Sequence, residues 1–183
     1  DVSTDARIAG HHIGVGGGTP STLNLRVGKE ALRNNTTGTE NIAIGYEALY
    51  THTNPNLILA IGTYAGTYLN GAANDNTIVG HYGCFQCTTA STNTAIGHAV
   101  LYSNLRGSGN AIVGDYAAVL DTFATENAAL GKFAMSGTGP VSKGNVAIGY
   151  SAMNDVNDSA SYNISIGYES THGHSSTTNI EYN

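Results

Sequence analysis

Residues 41–49 read Asn-Ile-Ala-Ile-Gly-Tyr-Glu-Ala-Leu, and the chain keeps returning to that phrase. Residues 24–32 read Asn-Leu-Arg-Val-Gly-Lys-Glu-Ala-Leu, and residues 145–153 read Asn-Val-Ala-Ile-Gly-Tyr-Ser-Ala-Met. Aligning the glycine that follows an aliphatic residue gives Gly28, Gly45, Gly62, Gly80, Gly97, Gly114, Gly131, Gly149 and Gly167, at intervals of 17, 17, 18, 17, 17, 17, 18 and 18 residues. An imperfect tenth copy lies around Gly10, and residues 179–183 open a partial rung. Asn stands four residues before the glycine at 24, 41, 76, 93, 110, 127, 145 and 163, and only Ile58 departs from the pattern. Self-similarity at a fixed period is the signature of a repeat architecture. The unit is too short for a helix pair or a propeller blade, which take about 34 residues or more.

One turn of a solenoid built from short strands fits the unit. The expected fold is therefore all-β: a parallel β-roll or β-solenoid of about ten rungs, filling residues 1–183 as a single repeat domain. The residue before each glycine is always Val, Ile or Leu. Stacked roughly 4.8 Å apart, these side chains would form an aliphatic column inside the coil. The glycine would turn a corner needing positive φ or lacking room for a Cβ. A second small-then-apolar step follows (Ala31-Leu32, Ala48-Leu49, Ala134-Met135, Ala152-Met153) and reads as a second short strand. The aligned Asn side chains would form an amide ladder, each bonding its equivalent one rung away.

The residue two before the glycine is Ala43, Ala60, Ile78, Ala95, Ile112, Ala129, Ala147 or Ser165, with Arg26 the outlier. In a strand this position faces away from its neighbours' side. If the aliphatic column lies inside, the alanines lie outside, and a strand apolar on both faces is covered on both faces. The expected cover is another copy of the chain, and a closed trimer suits a narrow coil.

The Asn-x-Ala-Ile-Gly-Tyr-x-Ala-Leu motif resembles the repeat of bacteriophage tail fibres. It is also similar to the heads of trimeric autotransporter adhesins, over about residues 6–170. The resemblance implies a left-handed parallel β-roll, a homotrimer, and attachment to a surface, extracellular or on a virion. The period of 17–18 is longer than that of the adhesin heads, which implies larger loops. No cofactor is expected.

Composition narrows the function. Of 183 residues only 7 are Lys or Arg against 13 Asp or Glu, a net charge of -6. No basic stripe exists to displace counterions from nucleic acid, so no nucleic-acid partner is expected. The longest aliphatic run, Leu57–Ile61, is far short of the ~20 residues of a membrane helix, so no membrane insertion is expected. No basic-then-apolar leader opens the chain, which reads as a mature or excised segment.

Candidate chemistry is sparse. His81, Cys84 and Cys87 carry zinc-type ligands in His-x-x-Cys-x-x-Cys, and His98 matches His81 one rung on. No second pair completes four ligands, Cys84 aligns with the apolar Leu32, Leu49 and Met135, and a local disulfide is an alternative. Glu30 and Glu47 align on neighbouring rungs, a spacing that in a glycosidase would carry catalysis. They stand without other acids and read as solvated charges. Residues 14–18 lack the Lys-Ser/Thr of a P-loop, and no Ser/His/Asp set is present, so the chain is not expected to be an enzyme. Tyr46, Tyr64, Tyr82, Tyr116, Tyr150 and Tyr168 follow their glycines by one or two residues and are the ligand-binding candidates, able to stack on sugar rings or simply on each other. The expected role is an elongated attachment fibre that binds cell-surface glycan. The alternative is an extracellular filament or matrix subunit, polymerised end to end by rung stacking.

Overall fold

The computed structural model describes residues 6–8, 11–14, 23–70, 73–154 and 161–171. Eleven short strands form one sheet in sequential order. They are β1 (Ala6–Ile8), β2 (His11–Gly14), β3 (Leu25–Val27), β4 (Ile42–Ile44), β5 (Leu59–Ile61), β6 (Thr77–Val79), β7 (Thr94–Ile96), β8 (Ala111–Val113), β9 (Ala128–Leu130), β10 (Val146–Ile148) and β11 (Ile164–Ile166). From β3 to β11 every neighbour is parallel and in register, so that Leu25, Ile42 and Leu59 stand in file, as do Val27, Ile44 and Ile61. The described residues therefore form an all-β solenoid of about eight turns, with no helix.

Each glycine is dictated by its place in the file. Gly80 has φ +137°, and a Cβ on it would lie 2.2 Å from the carbonyl oxygen of Gly97 in the next turn. A side chain there would both strain the backbone and push the turns apart. The glycine amides continue the ladder: Gly45 N donates to Val27 O at 2.8 Å, and Gly62 N to Ile44 O at 2.7 Å.

The segment after the glycine is not a second strand, as expected, but a stacked turn. Its second and fourth residues adopt left-handed φ in turn after turn: Glu47 (+53°) and Leu49 (+52°), Tyr82 (+57°) and Cys84 (+48°), Phe133 (+60°) and Met135 (+57°). Non-glycine residues enter that region only where their surroundings hold them. Here the hold is hydrogen bonding between turns, as Glu47 N donates to Lys29 O below and Leu49 N to Ala65 O above.

The strands face the opposite way from the sequence expectation. The residue two before the glycine points into the coil: Ala43, Ala60, Ile78, Ala95, Ile112 and Ala147 are fully buried. The flanking aliphatic residues, expected inside, point out of it, with Leu130 53% and Ile166 64% exposed. The reason is thickness. The inner face of each strand meets the stacked turn of the opposite wall, where Ala31-Leu32, Ala48-Leu49 and Ala134-Met135 are all buried. Two walls this close leave room for Ala on one side when Leu or Met comes from the other. The alanine column is thus the core of the single chain, and the face left uncovered is the aliphatic one.

The tenth copy also differs. Gly10 lies outside the described residues, but the strands around it form no parallel rung. β1 pairs antiparallel with β2, and β2 pairs antiparallel with β3 through Ile13–Val27 and Gly14–Arg26. The partial rung at 179–183 lies outside the described residues.

Candidate functional site

The aligned asparagines stand inside one corner and donate to the turn below. The backbone N and Nδ2 of Asn41 both donate to Asn24 Oδ1, at 2.8 and 2.9 Å, while Nδ2 also donates to Pro55 O at 2.7 Å. The same three-way pattern carries Asn93 onto Asn76, Asn110 onto Asn93 and Asn127 onto Asn110. Asn145 and Asn163 extend the shared-acceptor step. At Ile58 only the backbone amide reaches Asn41 Oδ1, at 3.1 Å, and the side-chain ladder is interrupted for one turn. A second ladder, not read from the sequence, runs in the reverse sense two residues earlier. Thr39 N donates to Asn56 Oδ1, Asn56 N to Asn74 Oδ1, Asn74 N to Ser91 Oγ and Ser91 N to Ser108 Oγ. Asn, Asn, Ser, Ser at a common register was its signal. With their oxygens used to hold the coil, these rows present no ligand set.

The aromatic candidates do come together, along the outside of the corner that follows the glycine. Tyr64 and Tyr82 stack at 4.9 Å, Tyr116 and Phe133 at 5.6 Å, and Tyr150 and Tyr168 at 5.3 Å. Right-angle contacts separate these stacks: Tyr46 on Tyr64, His98 on Tyr116, and Phe133 on Tyr150. The stacked geometry follows from the turn spacing, which approximates the distance at which offset rings attract. Lys29 and Lys132 lie over the rings of Tyr46 and Phe133 at 5.9 and 5.0 Å. A second aromatic row flanks the first on its N-terminal half. Tyr68 meets Phe85 at 5.0 Å, Phe85 stacks on Tyr102 at 5.2 Å, and Phe85 abuts Tyr64 and Tyr82. The sequence reading overlooked this row, because its members lie five or six residues after the glycine rather than at one register.

The electrostatics of the file are local. The Glu47 carboxylate, hydrogen-bonded to the Tyr46 hydroxyl, pushes that phenol up to about 12, and Glu169 raises Tyr168 in the same way. Burial raises Tyr64. Glu30, the proposed neighbour of Glu47, is held instead by the Arg33 guanidinium. Each carboxylate has its own partner on its own turn.

His81 and His98 stack at 5.4 Å on this outer file, with His98 N donating to Asp115 Oδ1 at 3.2 Å. Cys84 and Cys87 are fully buried on the other side of the wall, both as free thiols. The four residues therefore do not converge, and among the described residues no group of three or more His, Cys, Asp or Glu is arranged for a metal. Burial pushes the Cys87 thiol well up, and its Sγ donates to Leu101 O at 3.5 Å.

One buried acid escaped the sequence reading. Asp121 lies seven residues after Gly114, on an interior column that elsewhere carries Asn35, His52, Leu69, Cys87, Asn104 and Thr138, all buried. Its Oδ2 accepts from Thr138 Oγ1 at 3.3 Å and from Ser142 Oγ, while Oδ1 is buried without a hydrogen bond. Burial pushes this carboxyl up to about 6.

A recess of about 470 Å³ opens beside the C-terminal half of the file, walled by Tyr116, Phe133 and Tyr150 and floored by Val119 and Leu120. Ser136, Ser151, Asn154 and Glu169 supply its polar rim. Among the described residues no helix is long and apolar enough to cross a membrane. No family model matches this chain, and neither a curated protein nor a solved structure matches it.

Proposed function

We propose that the chain is a segment of an elongated, non-enzymatic attachment fibre, a left-handed coil assembled as a homotrimer. Two further copies cover its aliphatic face, and its aromatic corner meets glycan on a cell surface. The setting is extracellular, on a virion or a bacterial surface. The observation that carries this reading is the outward face of the sheet. Leu25 and Val27, Ile42 and Ile44, Leu59 and Ile61, Val146 and Ile148, and Ile164 and Ile166 point outward in file, with Thr or Ala the only departures in between. Not one charged residue interrupts it.

Soluble monomers rarely leave such a stripe in water, and parallel sheets are ordinarily covered on both faces. A partner of the same sequence and rise matches the stripe turn for turn, and in-register copies around a closed axis satisfy it without an open end. The resemblance to adhesin heads supports the hand of the coil. The filament reading is less well supported. With β2 lying antiparallel on β3, a further parallel rung cannot join in register at that edge.

Light scattering of the purified chain tests the proposal. A mass three times 18.8 kDa is the expected result. A monomer in dilute buffer, or fibres of indefinite length, would overturn it.

A further inference from the structure

We infer that Cys84 and Cys87 are a modification site: they close into an interior disulfide while the chain folds, and the finished coil seals the bond from solution. This goes beyond the attachment reading and draws on it only for an oxidising, extracellular setting.

The pairing comes from the repeat. In turn after turn the fourth and seventh residues after the glycine meet across a tight bend. Asn35 N donates to Leu32 O at 3.3 Å, Leu69 N to Gly66 O at 3.1 Å and Asn104 N to Leu101 O at 3.2 Å. A Cβ built on Gly66 would lie 2.9 Å from Leu69 Cδ1, so the two positions point at one another inside the coil. In one turn both positions are Cys, and Cys87 N donates to Cys84 O at 3.2 Å in the same bend. A four-residue turn closed in this way holds its end Cα atoms within about 7 Å. A disulfide spans Cα atoms about 4.4–6.8 Å apart. Both side chains are fully buried, so they share the same interior space.

The seventh position also has a task that a thiol does poorly. Asn35 Oδ1 accepts from Gly38 N at 2.8 Å, and Asn104 Oδ1 from Gly107 N at 2.7 Å. His52 Nε2 lies 3.1 Å from Ala73 O. Each of these ties the bend to a loop. Cys87 offers a long contact instead, from Sγ to Leu101 O at 3.5 Å. A covalent link to Cys84 fixes the bend in place of that tie.

The timing follows from burial. Disulfide exchange needs a thiolate, and burial, with the hydrogen bond between the two thiols, pushes the Cys87 thiol well up. In the closed coil neither thiol meets a reagent; in the open chain both do. There one Cys thiolate attacks a small-molecule disulfide such as glutathione disulfide, forming a mixed disulfide and releasing one glutathione thiolate. The second Cys, deprotonated, displaces the other glutathione, and the Sγ–Sγ bond closes. The two Cys give up two protons and two electrons, and one glutathione disulfide becomes two glutathione thiols.

Refolding of the whole chain tests this. The reduced, denatured chain is refolded in a glutathione and glutathione disulfide buffer, then denatured again with iodoacetamide and weighed by mass spectrometry. The expected product is a single chain that has regained its circular dichroism, carries no alkyl group or glutathione, and lacks the two thiol hydrogens. With 2 Cys in the chain, that product has one possible pairing. Dithiothreitol should then reduce it only when denaturant opens the coil. Two alkylated thiols, a glutathione adduct, a disulfide-linked dimer, or a chain that refolds only in reductant overturns the inference, as does ready reduction of the folded chain. A thiol count and an assembly mass fail separately: a trimer with two free thiols loses the bond and keeps the fibre, and an oxidised monomer does the reverse.

Discussion

Ile78 and Gly83 face each other across the inside of one turn: a Cβ built on Gly83 would lie 2.8 Å from Ile78 Cγ2. Other turns place Ala at both positions, as Ala43 and Ala48 do. In this turn the strand side has grown and the opposite wall has shrunk. The neighbouring turn yields too, since a Cβ on Gly66 would lie 3.1 Å from Ile78 Cδ1. The same exchange recurs at Ile112, where Ala118 stands in place of the usual Leu or Met. The core conserves volume turn by turn, as close packing requires.

Compensation of this kind predicts non-additive mutations. Gly83→Ala forces a methyl against Ile78 and should cost about 1–3 kcal/mol. Ile78→Ala leaves a cavity and should cost about 2–5 kcal/mol. The double variant restores the Ala–Ala pair of the other turns and should cost less than the two losses added. Denaturant titration of the three variants checks this, and simple additivity would refute it.

The asparagine ladder makes a second prediction. Asn93→Ala removes the acceptor of both donors of Asn110 and the donor to Gly107 O. Leaving such groups buried and unpaired should cost on the order of 3 kcal/mol. Asn41→Ala should cost roughly 1 kcal/mol less, because the next turn carries Ile58, whose backbone amide alone depends on Asn41. Equal losses in parallel unfolding curves would show that the side-chain rungs contribute nothing of their own.

Asp121 should make stability depend on pH. Its carboxyl rises from an ordinary 3.8 to about 6 because burial penalises the charged form. A raised value means the folded chain holds the proton more tightly. The contribution is fully present below pH 3.8 and is lost as pH rises through about 6. The loss is at most about 3 kcal/mol, at 1.36 kcal/mol per unit. Asp121→Asn carries the amide found at Asn35 and Asn104 of the same column and should raise the melting temperature at pH 7.5 while doing little at pH 4. A variant no more stable than the parent at pH 7.5 would contradict this account.

The outward aliphatic face should tolerate charge in the single chain and not in the assembly. Ile148→Lys, at a position 39% exposed, should fold with unchanged β-sheet circular dichroism yet sediment as a monomer. A variant that still sediments with the parent would place the interface elsewhere.

Much of this molecule was legible in its residues. The 17–18 period, the glycine file, the parallel register and the asparagine rows followed from recurrence alone, because in-register stacking repeats whatever one turn does in every other. The second polar ladder and the Phe85 row were harder to see, since each mixes residue types or shifts register between turns.

Which side of the strand faces inward was a matter for the tertiary structure alone. Alternation in a three-residue strand separates Ile42 and Ile44 from Ala43 but does not say which set is inside, and both sets are apolar. The larger side chains read as core, yet the stacked turns of the opposite wall come close enough to bring Leu49 and Met135 into the coil and leave room on the strand for little more than a methyl group. The distance between two walls is a property of the closed coil, and no single turn of sequence carries it.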